Sequence, residues 1–205
     1  VQVTIDGPAG VGKTSVGSRV AEKFSLLFIQ SGSLYRALAY ADENNLNPDA
    51  IEFAIDNTHH AHLMIKGKNV NSDLDSEGIG ELASKLAKKE RVRNKVNEII
   101  TNVSKGEDVL VEGRDIGTVV LPNADIKVFL TASPHQRALR RHKQISTQGR
   151  VEDIEAELLK RDNRDKTRKT APLKPAKDAK IIDTTSLTED QVVDKISALV
   201  SKRIC

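Results

Sequence analysis

The run Gly7-Pro8-Ala9-Gly10-Val11-Gly12-Lys13-Thr14 constrains this chain more than any other segment. It matches G-x-x-x-x-G-K-[ST] at every fixed position. A β-branched stretch, residues 1–6, precedes it, and a segment with Val16, Val20 and Phe24 at four-residue spacing follows. Glycines let backbone N–H groups converge on an anion without Cβ interference, and the start of the following helix adds positive potential. Lys13 can reach the outer phosphates and Thr14 can ligate Mg²⁺, so Gly7 through Ser15 is expected to hold a nucleoside triphosphate. A chance match in a chain this long is on the order of one in a hundred. The bland alternative is a glycine turn with a snorkelling lysine. The loop leaves open what is done with the nucleotide, because switches, motors and small-molecule kinases share it.

Four further short apolar runs, at residues 26–29, 108–111, 126–130 and 180–182, are separated by stretches long enough for helices. That alternation predicts a parallel sheet covered on both faces, an α/β architecture. Residues 57–70 break the rhythm and read as a small hairpin within an insert. Residues 74–104 read as mostly helical, and helices are predicted from Pro134 through Arg141, from Glu152 to about Arg168, and over 188–200. With 205 residues, 38% hydrophobic and 30% charged, the chain can bury a core, and disorder is excluded as its main state. Aromatics at 3% argue against a stacking platform for single-stranded nucleic acid.

Three polar clusters lie beyond the loop. Gln30-Ser31-Gly32-Ser33-Leu34-Tyr35-Arg36 follows the second strand, at the carboxyl edge where ligands of such sheets bind. A helix capped by Ser31 with a surface arginine is the simpler reading. Glu112-Gly113-Arg114-Asp115-Ile116-Gly117-Thr118 follows the third run, and a surface turn holding a salt bridge would explain it equally. Arg161, Asp165 and Arg168 share a helical face that could carry nothing more than solvated ion pairs. Taken together the clusters suit an enzyme that moves a phosphoryl group between two nucleotides, since several negative charges must then be neutralised at once.

Those motifs, with FLTASPHQRALRR and APLKPAKDAKIIDTT, occur in order across nearly the whole chain, and together they resemble the bacterial cytidylate kinases. The resemblance implies a P-loop NTPase-type three-layer α/β fold with a parallel β-sheet core, a small monophosphate-binding insert and a helical lid. The corresponding divisions are core 1–40, insert 41–90, core 91–136, lid 137–160 and core 161–205. It implies transfer of the γ-phosphoryl of ATP to CMP or dCMP with Mg²⁺. Arg36, Arg114 and Arg168 would clamp the acceptor phosphate beside Ser31. Ser84, Arg93 and Asp115 would read the cytosine edge, and Asp165 with Arg161 would hold the sugar or phosphate end. Arg137 and Arg141 resemble lid arginines that reach the ATP phosphates. Lys13, Arg114, Arg141 and Arg168 would stabilise the moving group, and Glu112 would assist Thr14 at Mg²⁺ through water. Gln30 stands where relatives usually have Asp, and Leu74-Asp75 where many have Ile-Arg, which bears on base and sugar selectivity more than on reaction type.

Other readings remain open: a related kinase for UMP, AMP or another small acceptor, a non-catalytic nucleotide-binding regulatory module, or a nucleic-acid binder. The net charge is only +3, and residues 137–169 hold eleven Lys/Arg against six Asp/Glu, which interrupts any phosphate-tracking stripe. No nucleic-acid partner is therefore expected. His59, His60 and His62 are expected to be surface residues, since they lack partners at metal-ligand spacing. Cys205 is the single cysteine, which excludes an internal disulfide framework and suits a reducing compartment. No apolar run approaches membrane-spanning length, and the first residues lack a signal-peptide pattern. A cytoplasmic monomer is the expectation.

Overall fold

A computed structural model describes residues 1–55, 61–75, 77–145 and 149–204. The elements run β1 (Gln2–Asp6), α1 (Lys13–Phe24), β2 (Leu27–Gln30), α2 (Ser31–Glu43), β3 (Ile51–Ile55), β4 (Ala61–Ile65), β5 (Lys68–Asn69), α3 (Glu77–Leu86) and α4 (Glu90–Val103). They continue as β6 (Val109–Gly113), β7 (Ile126–Thr131), α5 (Pro134–Ile145), α6 (Val151–Thr167), β8 (Lys180–Asp183) and α7 (Glu189–Ile204). The five strands predicted from apolar runs form one sheet in the order β2-β6-β1-β7-β8, and every pairing is parallel.

Side-chain alternation along the strands builds the three layers. Val3 and Ile5 of β1 and Leu110 of β6 pack with Val16 and Val20 of α1 and Val192, Ile196 and Val200 of α7. Val109 and Val111, one step out of phase, pack with Leu34 and Leu38 of α2 and Val96 and Ile100 of α4. Both sheet faces are therefore covered, as β-branched strands with few polar positions require. Because the strands are parallel, the segments after β1, β2, β6 and β7 all emerge at one edge, and all the phosphate-related motifs are carried there.

The insert differs from the expected hairpin. β4 and β5 form it, but β3 adds an antiparallel third strand, with Phe53 opposite Leu63. β3 is not visible in the sequence because Glu52 interrupts a short run whose partners lie six to fourteen residues away. The expected helix over 74–104 is broken at residues 87–89. Its two halves bury different stripes: Ile79, Ala83 and Leu86 against Ala39, and Val96 and Ile100 against the main core, which one straight helix could not do. His62 packs its ring nitrogen on Asn71 Nδ2 at 3.1 Å, and His59 and His60 lie outside the described residues. Among the described residues no helix is long and apolar enough to cross a membrane, and no cluster of metal-ligating side chains occurs.

α1 sits close enough to the sheet that Gly17 is required. A Cβ there would lie 2.8 Å from Phe28 Cε2 and 3.3 Å from Leu110 Cδ2, both in the buried core. Gly17→Val is expected to lower unfolding stability by about 2 kcal/mol through overpacking, with unchanged urea m-value. A denaturant titration checks this.

Candidate active site

The loop between β1 and α1 turns through Gly12, whose φ of 94° places it in the left-handed region that favours glycine and which caps α1 without a side-chain bond. Its uncapped first-turn N–H groups face a cleft of about 520 Å³ that also collects Ser31, Arg36, Ser84, Glu112, Arg114, Asp115, Arg141, Arg161, Asp165 and Arg168. The ends of β1, β2 and β6 and the helices α1, α2, α3, α5 and α6 thus bring almost every expected site residue to one place.

Lys13 is buried, and its Nζ donates to the Pro8 carbonyl at 2.8 Å. Burial, and then the nearby Arg114 charge, pulls its pKa down to about 7. Thr14 Oγ1 donates to Glu112 Oε1 at 2.7 Å, whereas the buried Glu112 Oε2 has no hydrogen-bond partner among the described residues. An orphaned carboxylate oxygen beside a hydroxyl is a hard-oxygen donor set suited to a divalent cation. Arg114 donates from Nε to Asp165 Oδ2 at 3.1 Å and from Nη1 to the Gly7 carbonyl at 2.8 Å. The turn after β6 is therefore no exposed salt-bridge turn, since Glu112 and Asp115 are buried.

Asp115 holds two guanidinium groups, those of Arg93 and Arg168, the latter donating from Nη2 at 2.9 Å. Arg168 is not on a helical face. It follows α6 in an extended conformation (φ −63°, ψ 140°), which lets its side chain turn back to the cleft. Asp165 and Arg161 do lie on α6, but largely buried, so the solvated-face alternative fails for this stretch. Burial and the Arg114 charge lower the Arg161 pKa to about 10, and its buried Nε has no partner among the described residues. Like charges held this close, in protein rather than water, make a site for anions.

Ser31 does not cap α2. Gln30 occupies the cap position, and Ser31 is buried at the cleft wall. Two other expected residues are placed differently. Arg93, only 2% exposed, stands behind Asp115 rather than in the cleft wall. Arg137 does not line the cleft at all: it is buried against Asp162, with Nη1 at 2.6 Å from Oδ2. Gln30 and Leu74 both line a second cavity of about 220 Å³, with Ser33, Phe53, Leu63 and Asn71, next to the main cleft.

The sequence reading missed Asp6, Arg140, Asp162 and Arg164. Asp6 accepts the N–H groups of Ile116 and Gly117 at 2.9 and 2.8 Å and so ties the β6 turn to the end of β1, and burial raises its pKa to about 6. Arg140 lines the cleft and donates to the Thr184 carbonyl at 2.6 Å. Arg164 Nη1 donates to Ser84 Oγ at 2.9 Å. Arg140 and Asp162 lie within motifs the sequence displays, and only their helical phase, set by packing, separates them from the neighbours that were chosen.

The fold is shared with solved small-molecule kinases. A gluconokinase from Sinorhizobium meliloti 1021 superposes with a TM-score of 0.54 at 15% identity, covering 98% of this chain and 91% of that one. A shikimate kinase from Bacteroides thetaiotaomicron does so with 0.54 at 16%, covering 98% of each. The architecture, with its glycine loop, is that of a P-loop kinase. The cytidylate kinase family model matches residues 3–202. Cytidylate kinases of Thermotoga sp. (strain RQ2) and Rickettsia africae (strain ESF-5) are 41% and 40% identical over 99% and 98% of this chain, and over 98% and 92% of their own lengths. The chain belongs to the cytidylate kinase family.

The depressed Lys13 pKa has a measurable consequence. With its pKa near 7 in the nucleotide-free protein, Lys13 is mostly neutral at pH 8, and a phosphate beside it favours the charged form. ADP binding at pH 8 is expected to take up as much as about one proton, falling toward zero at about pH 6, where Lys13 is already charged. Calorimetry in two buffers of different ionisation enthalpy reads the uptake, and none at pH 8 would mean a lysine already protonated.

Proposed function

We propose that the protein transfers the γ-phosphoryl group of ATP to CMP or dCMP, giving ADP and CDP or dCDP. The observation that carries this reading is one cleft with two anion-binding walls. The glycine loop with Lys13 forms one, and Arg36, Arg114 and Arg168 reach the other from α2, the β6 turn and the end of α6. A nucleotide on each wall would bring the γ-phosphate of one toward the phosphate of the other, as in-line transfer requires.

In that arrangement an acceptor phosphate oxygen attacks the γ-phosphorus as the bond to the departing ADP oxygen breaks. The acceptor dianion is already nucleophilic, so no side chain serves as a base. Lys13 leaves the Pro8 carbonyl for the donor phosphates, and Arg114, Arg141 and Arg168 stabilise charge spread over the moving group. Gly7 through Ser15 cradle the donor. Ser31 and Arg36 hold the acceptor phosphate with Arg114 and Arg168, and Asp165 with Arg161 orients the sugar or phosphate end. Ser84 and Asp115 face the base, Arg93 fixing the Asp115 carboxylate from behind. Thr14 and Glu112 would hold Mg²⁺, directly and through water, an assignment supported by the partnerless Glu112 oxygen. Bound there, the cation would neutralise charge on the donor phosphates. Residues 41–90 would act as the acceptor insert and 137–160 as the lid that excludes water. We place the enzyme in the cytoplasm as a monomer.

An acceptor panel with ATP and Mg²⁺, read as ADP release, is expected to show turnover with CMP and dCMP and far less with AMP. AMP or UMP turning over while CMP does not would overturn the assignment. Lys13→Ala is expected to reduce turnover at least about 100-fold. The fold should survive, since burial and Arg114 already disfavour the Lys13 charge. Near-normal turnover in a folded variant would refute the role given to Lys13.

A further inference from the structure

The buried pair formed by Arg137 of α5 and Asp162 of α6 has no part in the chemistry above, yet both residues grip the phosphate loop. Asp162 Oδ1 accepts the Ala9 N–H at 3.3 Å, and Arg137 Nη1 donates to the Ala9 carbonyl at 2.9 Å. Arg137 Nη1 also meets Asp162 Oδ2 at 2.6 Å, and its Nε donates to the Ala132 carbonyl at 3.2 Å. At 3% and 4% exposure, neither side chain reaches the solvent side of the cleft. One turn on, Arg140 Nη1 donates to the Val11 carbonyl at 3.4 Å. Ala9 itself packs into a small apolar cluster with Ala138, Ile154 and Leu158, so the contact between loop and helices is continuous.

In a planar trans peptide the carbonyl and the following N–H point in opposite directions. Holding the Ala9 and Val11 carbonyls toward α5 therefore turns the N–H groups of Gly10 and Gly12 away from α5. Gly10 and Gly12 line the cleft, and the Ala9 N–H, taken up by Asp162, is kept out of it. We infer that Arg137 and Asp162 are positioning residues that mould the phosphate loop, aiming its N–H groups at the donor nucleotide from behind. Arg137 is then no ligand of the ATP phosphates, and α5 and α6, which flank residues 146–150, are mechanically joined to the loop. The inference rests on donor-nucleotide binding at that loop.

Titration of the full chain with ADP, ATP and CMP tests it, using the wild type, Asp162→Asn and Arg137→Lys, with circular dichroism melts to establish folding. Arg137→Lys retains a cation opposite Asp162 and guards against loss of the fold in the other variant. Wild-type protein that fails to bind ADP would sink the reading of the site itself, separately from this inference. Moulding predicts that ADP and ATP are weakened equally, by about tenfold, the loss of roughly one hydrogen bond, while CMP affinity holds within about twofold. The Asp162→Asn result is the sharper one, because removing a negative charge near a phosphate site would by Coulomb's law alone tighten ADP. Tighter or unchanged ADP binding in the folded variants overturns the inference. So does loss of ATP affinity alone in Arg137→Lys, which would mark a direct γ-phosphate contact, or an equal loss for CMP, which would mark a general loosening of the fold.

Discussion

The structure is organised around positive charge that is not neutralised within the protein. Lys13, Arg114 and Arg161 are held so close, and so far from water, that the pKa values of Lys13 and Arg161 are both lowered in part by Arg114. Such a cluster disfavours folding unless carboxylates are brought in to compensate, and they come from distant parts of the chain. Glu112 faces Thr14, Asp165 faces Arg114, and Asp115 spans Arg93 and Arg168. The balance is incomplete, because the buried Arg161 Nε has no partner among the described residues and Asp115 is shared between two arginines. Arg114, Arg161 and Arg168 all line the cleft. A cluster of like charges held in a cleft favours anionic ligands over neutral ones.

Connectivity makes this cluster possible. In a parallel sheet every strand delivers its following segment to one edge, and β1, central in the order, has β6 and β7 as immediate neighbours. The glycine loop is consequently flanked by the Arg114 turn on one side and the start of α5 on the other. Asp6, at the last residue of β1, draws the β6 turn in through two backbone N–H groups, and Arg114 returns the contact by bonding the Gly7 carbonyl. Burial of Asp6 raises its pKa, the energetic cost of placing a carboxylate where water is excluded, and the two N–H bonds offset part of that cost.

α5 and α6 add a second level of order behind the first. Arg137 and Asp162 make a buried ion pair that also bonds the N–H and the carbonyl of Ala9, while Arg137 Nε holds the Ala132 carbonyl. Removing one member of such a pair typically costs about 3–5 kcal/mol, since the other charge stays buried and alone. Its cost is tolerable only where many contacts hold the geometry, as the packing of Ala9 against Ala138, Ile154 and Leu158 does.

Much of this was legible in one dimension. The loop's glycines, Lys13 and Thr14 act through spacing alone, because backbone N–H convergence is a local property of the chain. The apolar runs that became the sheet were equally visible, since strand burial on both faces demands continuous β-branched residues. β3 was not, because its stability comes from pairing with β4. Arg168 lines the cleft, but by ending the helix instead of sharing its face. Arg137 looked like a ligand arginine because residue type and motif are blind to which way a helix is rolled, and packing of Ala138 into the loop rolls α5 so that Arg137 points inward. The sequence by itself thus determined the chemistry available, a phosphate loop and a supply of arginines and carboxylates. Only the tertiary structure decided which charges line the cleft and which face one another, because that choice depends on contacts between residues more than a hundred positions apart, which no local pattern encodes.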